Sequence, residues 1–323
     1  MAKSNNKIKA RSKWTLGDIV VHIILAILSV IWVLPIAWII MISFRGEKGQ
    51  YVSTLLPKSL TLANYTKLFT DTGILNFMQM FKNTLIIAIF SCIISTAFVL
   101  AVSYCMSRMR FRLRKPFMNV ALILGMFPGF MAMIAVYYIL KVLGLSEGSL
   151  IRVALVLVYS GGSGLGFYIA KGFFDTIPKS LEEAAYLDGA TRWQSFTRII
   201  IPLSRPIIVY TVLNSFLAPW IDFVFAKVIC RANKDYYTVS IGLWNMLEKE
   251  YVYNWFNSFA AGAVLISVPI IILFMVLGVV VSAICMADSY SASVVASDGL
   301  EGVLLSWQPH IIIRVIVSTH VIK

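Results

Sequence analysis

Six long apolar stretches dominate this 323-residue chain. A helix needs about 20 predominantly apolar residues to cross the ~30 Å hydrocarbon core of a bilayer. Within lipid, such segments must be helical, because unpaired backbone groups are too costly there. The chain is therefore predicted to be an all-α integral membrane protein with six transmembrane helices, at residues 19–43, 84–107, 117–140, 150–170, 206–228 and 260–287.

The basic residues are spread unevenly over the gaps between these stretches. Lys and Arg are dense in the N-terminal arm (1–18), in the second gap from Arg108 to Lys115 and in the fourth gap (171–205), and sparser in the alternate gaps. Because positively charged loops stay on the cytoplasmic side, both termini and the second and fourth gaps are predicted to be cytoplasmic. Topology and lipid headgroups thus explain the net charge of +13, and no nucleic-acid partner is expected.

Glycines interrupt the fourth stretch. Gly162 and Gly166 form a small-xxx-small pair, which is typical of closely packed membrane helices. The alternative is a broken helix that lines a pathway able to open and close. A phosphate-binding loop is not indicated, because the glycine run lies inside a span and no Lys-Ser/Thr follows it. The chain is therefore not expected to hydrolyse ATP or to bind a cofactor itself.

Residues that could carry bond chemistry are few. The four cysteines include no C-x-x-C pair and the three histidines no H-E-x-x-H motif, so neither a metal site nor a disulfide framework is predicted. An intramembrane enzyme would need a nucleophile and a base on facing spans. Ser163 has no intramembrane histidine near the midplane to serve as that base. We therefore expect no catalytic residue and no enzymatic activity on this chain.

The fourth gap is the most informative hydrophilic segment. Ser180 with Glu183 three residues later predicts a capping box at the start of a short helix. Gly189 predicts a left-handed C-cap that ends this helix. A second short helix is predicted from about Thr191 and should end before Pro202. The segment is therefore expected to form a helix–turn–helix on the cytoplasmic face.

The same segment resembles the EAA loop of ABC importer permeases. It reads Glu-Ala-Ala, three residues, Gly, nine residues, Ile, one residue, Ile-Pro, with Ile201 where the family usually has Leu. The resemblance implies the type I ABC importer permease fold and a coupling loop that sits in a cleft of the ATP-hydrolysing subunit. Glu183 would pair with a basic group there, and Gly189 would set the bend. The residues carried over to ATPase coupling are Glu183, Ala184, Ala185, Gly189, Ile199 and Pro202.

Further motifs are similar to the binding-protein-dependent carbohydrate importers, in particular to the second permease subunit of maltose/maltodextrin transporters. They include Leu62-Ala63-Asn64-Tyr65, Asn83-Thr84-Leu85 and Trp220-Ile221-Asp222-Phe223. The resemblance implies a bacterial plasma-membrane complex containing a different second permease subunit, two copies of an ABC ATPase and an extracytoplasmic sugar-binding protein. It favours maltodextrin as cargo, with another oligosaccharide as the alternative.

Two features of the pathway remain open at this stage. The external loop (229–259) is rich in aromatic residues, which suit sugar stacking, contact with a binding protein or an aromatic belt at the bilayer interface. Trp220 and Asp222 are candidates for a gate or translocation pathway, since an acid inside a membrane is costly and marks function by default. The alternative is that Asp222 has no part in transport.

The C-terminal tail differs from the rest of the chain. The tail (288–323) departs from the family, with 289–297 predicted to be disordered and 303–317 too short and too interrupted to span a membrane.

The alternative class is an ion-coupled secondary transporter, which would be expected to show inverted repeats and several midplane acids. The sequence shows one such acid and no convincing repeat.

Overall fold

Helices account for most of the described chain. The structure, a computed structural model, describes residues 16–50, 54, 56–73, 75–126, 129–161 and 166–298, and side chains from 17 to 282 within these ranges. In these ranges the β structure is one isolated antiparallel bridge between Arg45 and Leu60. The α-helices are α1 Leu16–Ser43, α2 Ala63–Thr70, α3 Phe77–Arg108, α4 Arg114–Gly125, α5 Gly129–Val142, α6 Leu150–Gly161, α7 Gly166–Thr176, α8 Ser180–Leu187, α9 Arg192–Ser195, α10 Ile201–Leu203, α11 Arg205–Ile221, α12 Val224–Cys230, α13 Val239–Met246 and α14 Val252–Asp298.

Some of these helices have the length and composition of membrane spans. Three are long and apolar enough to cross a bilayer alone, over Gly17–Ser43, Phe77–Arg108 and Val252–Ser282. Up to six spans result if each of three bent helix pairs counts as one span. The pairs are Arg114–Gly125 with Gly129–Val142, Leu150–Gly161 with Gly166–Thr176, and Arg192–Leu203 with Arg205–Ile221, bent by 104°, 42° and 82° respectively.

Two sequence expectations about helix continuity need comment. The two described parts of the fourth predicted span, α6 and α7, are bent by 42° relative to each other, which favours the broken-helix interpretation over one straight packed helix. The four residues between them lie outside the described ranges. The prediction of disorder at 289–297 is wrong, because α14 continues to Asp298. No Gly or Pro occurs between 283 and 298 to stop it. The tail from 299, including 303–317, lies outside the described residues.

The described residues divide into two compact units, each considered by itself. The first comprises residues up to Thr70 together with Met246–Leu265. Its polar centre surrounds the segment that follows α1, and we call it the first-gap cluster. The cluster consists of Arg45, Glu47 and Thr54 of that segment, Asn64 of α2 and Asn257 of α14. Asn64 Nδ2 donates to the carbonyls of Ser43 and Arg45 at 3.0 and 2.7 Å, which fixes the chain as it leaves α1.

The second unit comprises Asp71–Asn245 and the chain from Ile266. The long helix α3 is its centre and packs against α6, α7 and α11. One end of α3 enters an apolar cluster that also includes residues of α7, of the fourth gap and of α11: Val99, Leu100, Tyr104, Met106, Phe167, Ala170, Phe174, Ile177, Ile200 and Ile207. This core places the fourth-gap segment (171–205) directly against the end of a membrane span.

Candidate functional site

Helix α8 opens the hairpin of the fourth-gap segment, but its start differs from the sequence prediction. Lys179 occupies the N-cap position, and its carbonyl accepts from the N–H groups of Glu182 and Glu183, both at 3.0 Å. No side chain caps this end. The predicted Ser180–Glu183 capping box is therefore wrong, because Ser180 is already the first helical residue and Glu183 is free to point elsewhere.

The turn after α8 follows the prediction for Gly189. This residue has φ +83°, the left-handed conformation that Gly adopts without a Cβ penalty. Its N–H bonds to the carbonyl of Tyr186 at 3.1 Å, and the N–H of Ala190 bonds to that of Ala185 at 2.9 Å. These two bonds are the Schellman arrangement. The predicted left-handed C-cap at Gly189 is confirmed.

The second helix of the hairpin carries a cap that the sequence analysis missed. Thr191 and Gln194 form a true capping box, in which each side chain bonds to the other residue's backbone N–H, at 3.3 and 2.7 Å. The T-x-x-Q spacing was the available signal. The helix also does not end before Pro202. A π-helical turn at Phe196–Ile200 changes the hydrogen-bond register, and helix continues to Leu203 before the 82° bend into α11.

The residues predicted to couple to an ATPase divide between surface and core. Glu183 and Gly189 are exposed, Ala184, Ile199 and Pro202 are half-buried, and Ala185 is buried. Large apolar side chains on the same segment face outward, with Leu187 86% and Trp193 71% exposed. The segment thus presents exposed apolar side chains together with two exposed carboxylates, those of Glu183 and Asp188. Such a surface is suited to contact with another protein.

The neighbouring carboxylate, Glu182, turns the other way. Its Oε1 lies 2.9 Å from Nε of Arg108 at the end of α3, and the two side chains are only 7% and 5% exposed. Burial raises the pKa of the Glu182 carboxyl above its ordinary value, although the charge of Arg108 acts in the opposite direction. The sequence predicted only a topological role and headgroup contact for Arg108, and this ion pair was not foreseen.

Other contacts fasten the same end of α3. Arg108 Nη2 donates to the carbonyls of Phe174 and Ile177, both at 2.8 Å. Ser107 Oγ donates to Asp175 Oδ1 at 2.6 Å, and Ser103 Oγ to the carbonyl of Phe167 at 3.0 Å. Helix α3, helix α7 and the start of the fourth-gap hairpin are therefore joined by side-chain bonds as well as by apolar packing.

Trp220 and Asp222 lie at the end of α11. Trp220 is 3% exposed and packs edge-on against Phe81, with ring centroids 5.3 Å apart. Asp222 ends α11, and its Oδ1 accepts from the N–H of Phe225 at 3.2 Å in the first turn of α12. Its Oδ2 accepts from the hydroxyl of Tyr159 at 2.8 Å. The carboxylate thus joins a helix break to α6, and its costly charge is hydrogen-bonded.

The aromatic residues of the external loop (229–259) are not equally accessible. Tyr237 and Trp255 are buried, at 5% and 2% exposure, so they are not free to stack on a sugar. Trp244 and Tyr253 are exposed, at 54% and 64%. In the second unit the loop is held by the Asn83-Thr84 motif, since Asn83 Nδ2 donates to the carbonyl of Asp235 at 2.8 Å and Thr84 Oγ1 accepts from the N–H of Val239 at 2.9 Å.

Possible metal ligands and cysteines occur in the ranges that the structure describes. No group of three His, Cys, Asp or Glu side chains there could hold a metal ion. Cys92, Cys105 and Cys230 are free cysteines.

Apolar helices long enough to cross a bilayer, with three bent helix pairs among them, define a polytopic membrane protein. Residues 98–285 match the family described as "Binding-protein-dependent transport system inner membrane component". The chain belongs to this family. It is therefore a multi-pass component of the cell membrane that functions in transport, with an ABC importer permease fold.

Two bacterial transport proteins are similar to most of this chain. It is 34% identical over 257 residues to the galactooligosaccharides transport system permease protein GanQ of Bacillus subtilis (strain 168), covering 79% of this chain and 89% of the relative. It is 31% identical over 274 residues to the maltodextrin transport system permease protein MalD of Streptococcus pneumoniae (strain ATCC BAA-255 / R6), covering 84% and 93%.

A solved structure shows the same fold. It is a chain of a bacterial ABC transporter involved in the import of the acidic polysaccharide alginate, with a TM-score of 0.67 and 23% sequence identity. The match covers 82% of this chain and 98% of that chain. At this identity the likeness extends to the fold.

Proposed function

We propose that this chain is one of two permease subunits of an ATP-driven, binding-protein-dependent importer of oligosaccharides, and that the fourth-gap segment couples it to the ATPase. The observation that carries the proposal is the exposed hairpin. The hairpin presents Glu183, Leu187 and Trp193 outward, while an adjacent side of α8 is anchored to α3 through Glu182. A partner that binds such a surface can displace the hairpin, and the displacement can move the membrane span to which the hairpin is anchored.

The proposed mechanism is mechanical and involves no bond chemistry on this chain. ATP binding closes a dimer of partner ATPase subunits, which moves the hairpin, and the spans shift between inward- and outward-facing states. A nucleotide can do this only by stabilising one of the two states more than the other. A second permease subunit, two ATPase copies and an extracytoplasmic sugar-binding protein are the proposed partners.

The coupling role is tested by Glu183→Ala. We expect lower co-purification of the ATPase subunit and lower sugar uptake, with unchanged membrane insertion, because Glu183 is exposed and takes no part in the hairpin's own caps. Glu147→Ala removes an exposed carboxylate from another gap and is the matched control. Uptake as high in Glu183→Ala as in Glu147→Ala would remove the coupling role of this residue.

The cargo is proposed more narrowly as maltodextrin, with galactooligosaccharide as the alternative. The maltose-type motifs in the sequence favour maltodextrin, while relatives of similar identity are named for each sugar. Uptake of each labelled sugar in proteoliposomes that contain the whole importer and its binding protein would decide between them. Transport by this chain alone, driven by an ion gradient, would instead favour a secondary transporter.

A gate role for Asp222 is a second proposal. It is supported by the position of the carboxylate at the break between α11 and α12, where a change of charge can alter the bend. Asp222→Asn should then change uptake or basal ATPase activity, whereas Tyr159→Phe, which removes only the hydroxyl donor, should change them less. Equal effects of the two variants would assign Asp222 to local structure.

A further inference from the structure

Two adjacent glutamates on α8 have opposite surroundings. Successive helical residues are separated by about 100° around the axis, so Glu182 and Glu183 cannot share a face. Glu183 is exposed, whereas Glu182 is buried against Arg108, 74 positions earlier in the chain (182 − 108). Whatever moves the outer face of α8 therefore acts, through the same turn of helix, on a charged contact with a membrane span.

The ion pair is not explained by stability alone. Removing two charges from water is costly, and apolar residues of similar volume are often equally stabilising at such a position. The pair also lacks full hydrogen bonding. In the part of the chain that the structure describes, Arg108 Nη1 has no hydrogen-bond acceptor, and the 2.9 Å approach of Nε to Glu182 Oε1 does not have hydrogen-bond geometry. Attraction between the charges persists when such a contact rotates, because it is not directional.

Helix α3 is well placed to distribute movement. It is 32 residues long, packs against α6, α7 and α11, and ends at Arg108. The guanidinium also holds the carbonyls of Phe174 and Ile177, which lead from α7 into α8. A displacement of α8 would therefore reach α3 through Arg108 and then the other helices that pack on α3.

We propose that Arg108 is a positioning residue whose buried ion pair with Glu182 transmits the movement of α8 to α3. This inference rests on the proposed coupling role of the fourth-gap segment. It assigns to Glu182 a task different from that of Glu183: the exposed carboxylate contacts the partner, and the buried one carries the displacement inward.

The first test compares Glu182→Gln, Arg108→Met and the double variant Arg108→Met/Glu182→Leu in the complete importer in proteoliposomes. Each should reduce sugar uptake by about tenfold or more, within the range of typical allosteric coupling, while the ATPase subunit still co-purifies. The double variant is decisive, because it removes the buried unpaired charge and should keep the chain folded. Arg112→Gln, which removes an exposed charge from the same basic turn, is the matched control.

A second measurement follows the movement itself. Spin labels at exposed positions Arg112 and Lys179 report the distance between the turn after α3 and the start of α8. With the ion pair intact, this distance should stay constant between the nucleotide-free and ATP-bound importer. In the double variant it should differ between the two states.

The outcomes separate this inference from the proposed function. Uptake retained in the double variant, or a distance that changes with the pair intact, would overturn transmission through Arg108. Loss of ATPase co-purification in Glu182→Gln would also overturn it, because the pair would then shape the docking surface. The result for Glu183→Ala tests docking separately, whichever way the Arg108 variants behave.

Discussion

Two arginine–glutamate pairs, one in each unit, make different uses of the same chemistry. In the first-gap cluster, Arg45 is two residues from Glu47, its Nε donates to Glu47 Oε2 at 2.9 Å and its Nη2 donates to Thr54 at 3.0 and 3.1 Å. In the fourth-gap segment, Arg108 meets Glu182 across a large sequence separation, with Nη1 left without an acceptor among the described residues. A local, hydrogen-bonded pair fixes a loop, whereas a long-range pair without hydrogen-bond geometry joins two helices.

The two pairs also differ in the solvent exposure of their glutamates. The side chain of Glu47 is 30% exposed, and that of Glu182 is 7% exposed. Water can therefore replace the partner of Glu47 but not that of Glu182. The comparison teaches that removing the arginine should be more damaging in the fourth-gap segment, because Glu182 is then left buried whereas Glu47 can be solvated.

The largest expected effect is that of Arg108→Met on stability. The variant leaves the Glu182 carboxyl buried without its cation, a change that typically costs about 3–5 kcal/mol. We expect a strongly lowered thermal unfolding midpoint in detergent, followed by tryptophan fluorescence, and recovery of most of it in Arg108→Met/Glu182→Leu. A midpoint for Arg108→Met equal to that for Arg112→Gln would show that the buried pair matters no more than a surface charge.

The first-gap cluster should be most sensitive at Asn257. Its Nδ2 donates to the carbonyls of Arg45 and Glu47 at 3.1 and 2.7 Å, and the side chain is buried. Asn257→Ala leaves these carbonyls without that donor, at about 1–3 kcal/mol for a buried group. The exposed neighbour Asn254→Ala is the control in the same unfolding experiment. Equal midpoints for the two variants would mean that the hydrogen bonds of Asn257 add nothing measurable to the stability of the cluster.

Left-handed glycines provide a third comparison between the two regions. Gly49 has φ +97° and a Cβ there would lie 3.2 Å from the Tyr253 ring, whereas Gly189 has φ +83° and open space around it. The conformation alone costs an L-residue about 1–2 kcal/mol, so Gly189→Ala should lose about that much and Gly49→Ala more. Gly172→Ala, within helix α7 and also in open space, should be neutral or stabilising.

Unfolding midpoints of these three variants check the order. Gly189→Ala matching Gly172→Ala would indicate that the turn after α8 relaxes freely, which would weaken its assignment as a fixed bend.

The smallest effect concerns pH, and the two glutamates should act in opposite directions. Partial burial acts to raise the pKa of the Glu47 carboxyl, but hydrogen bonds from its own backbone, from Lys58, from Arg45 and from Ser59 outweigh it, and the pKa is lowered. Its contribution to stability is present above the ordinary pKa of Glu and is lost as pH falls through the lowered value.

Glu182 has a raised pKa, so the sign is reversed. Its contribution is present below the ordinary pKa of Glu and is lost as pH rises through the raised value. Relative to the parent chain, Glu47→Gln should therefore lose less stability as the pH falls. Glu182→Gln should lose less stability as the pH rises. Midpoints measured across the acidic range check both slopes, and slopes of the same sign for the two variants would contradict the assignment.

Several elements followed from local sequence alone. The apolar stretches predicted the all-helical membrane fold, because the length and composition of a span depend only on the bilayer. Gly189 predicted its own C-cap, since a left-handed turn depends on the residue that occupies it. The EAA spacing located the candidate site, although helix starts were less certain: Lys179 took the cap position expected for Ser180, and the Thr191 box was missed.

Other features depended on residues far apart in the chain. Arg108 was interpreted as a topology signal because nothing near it in sequence shows a partner, yet α7 and α8 fold back onto it. Tyr237 and Trp255 look like available aromatic residues until packing buries them. Asp222 looks like an isolated acid until Tyr159 from α6 is brought to it.

The sequence by itself determined that this protein lies in a membrane, that it is helical, to which family it belongs and where in the chain the hairpin occurs. Each of these is encoded in composition or in spacing along one segment. Only the tertiary structure decided which of two adjacent glutamates faces outward and which is buried against a membrane span. That choice depends on which side of α8 meets α3, and contact between distant segments is decided by packing rather than by local pattern.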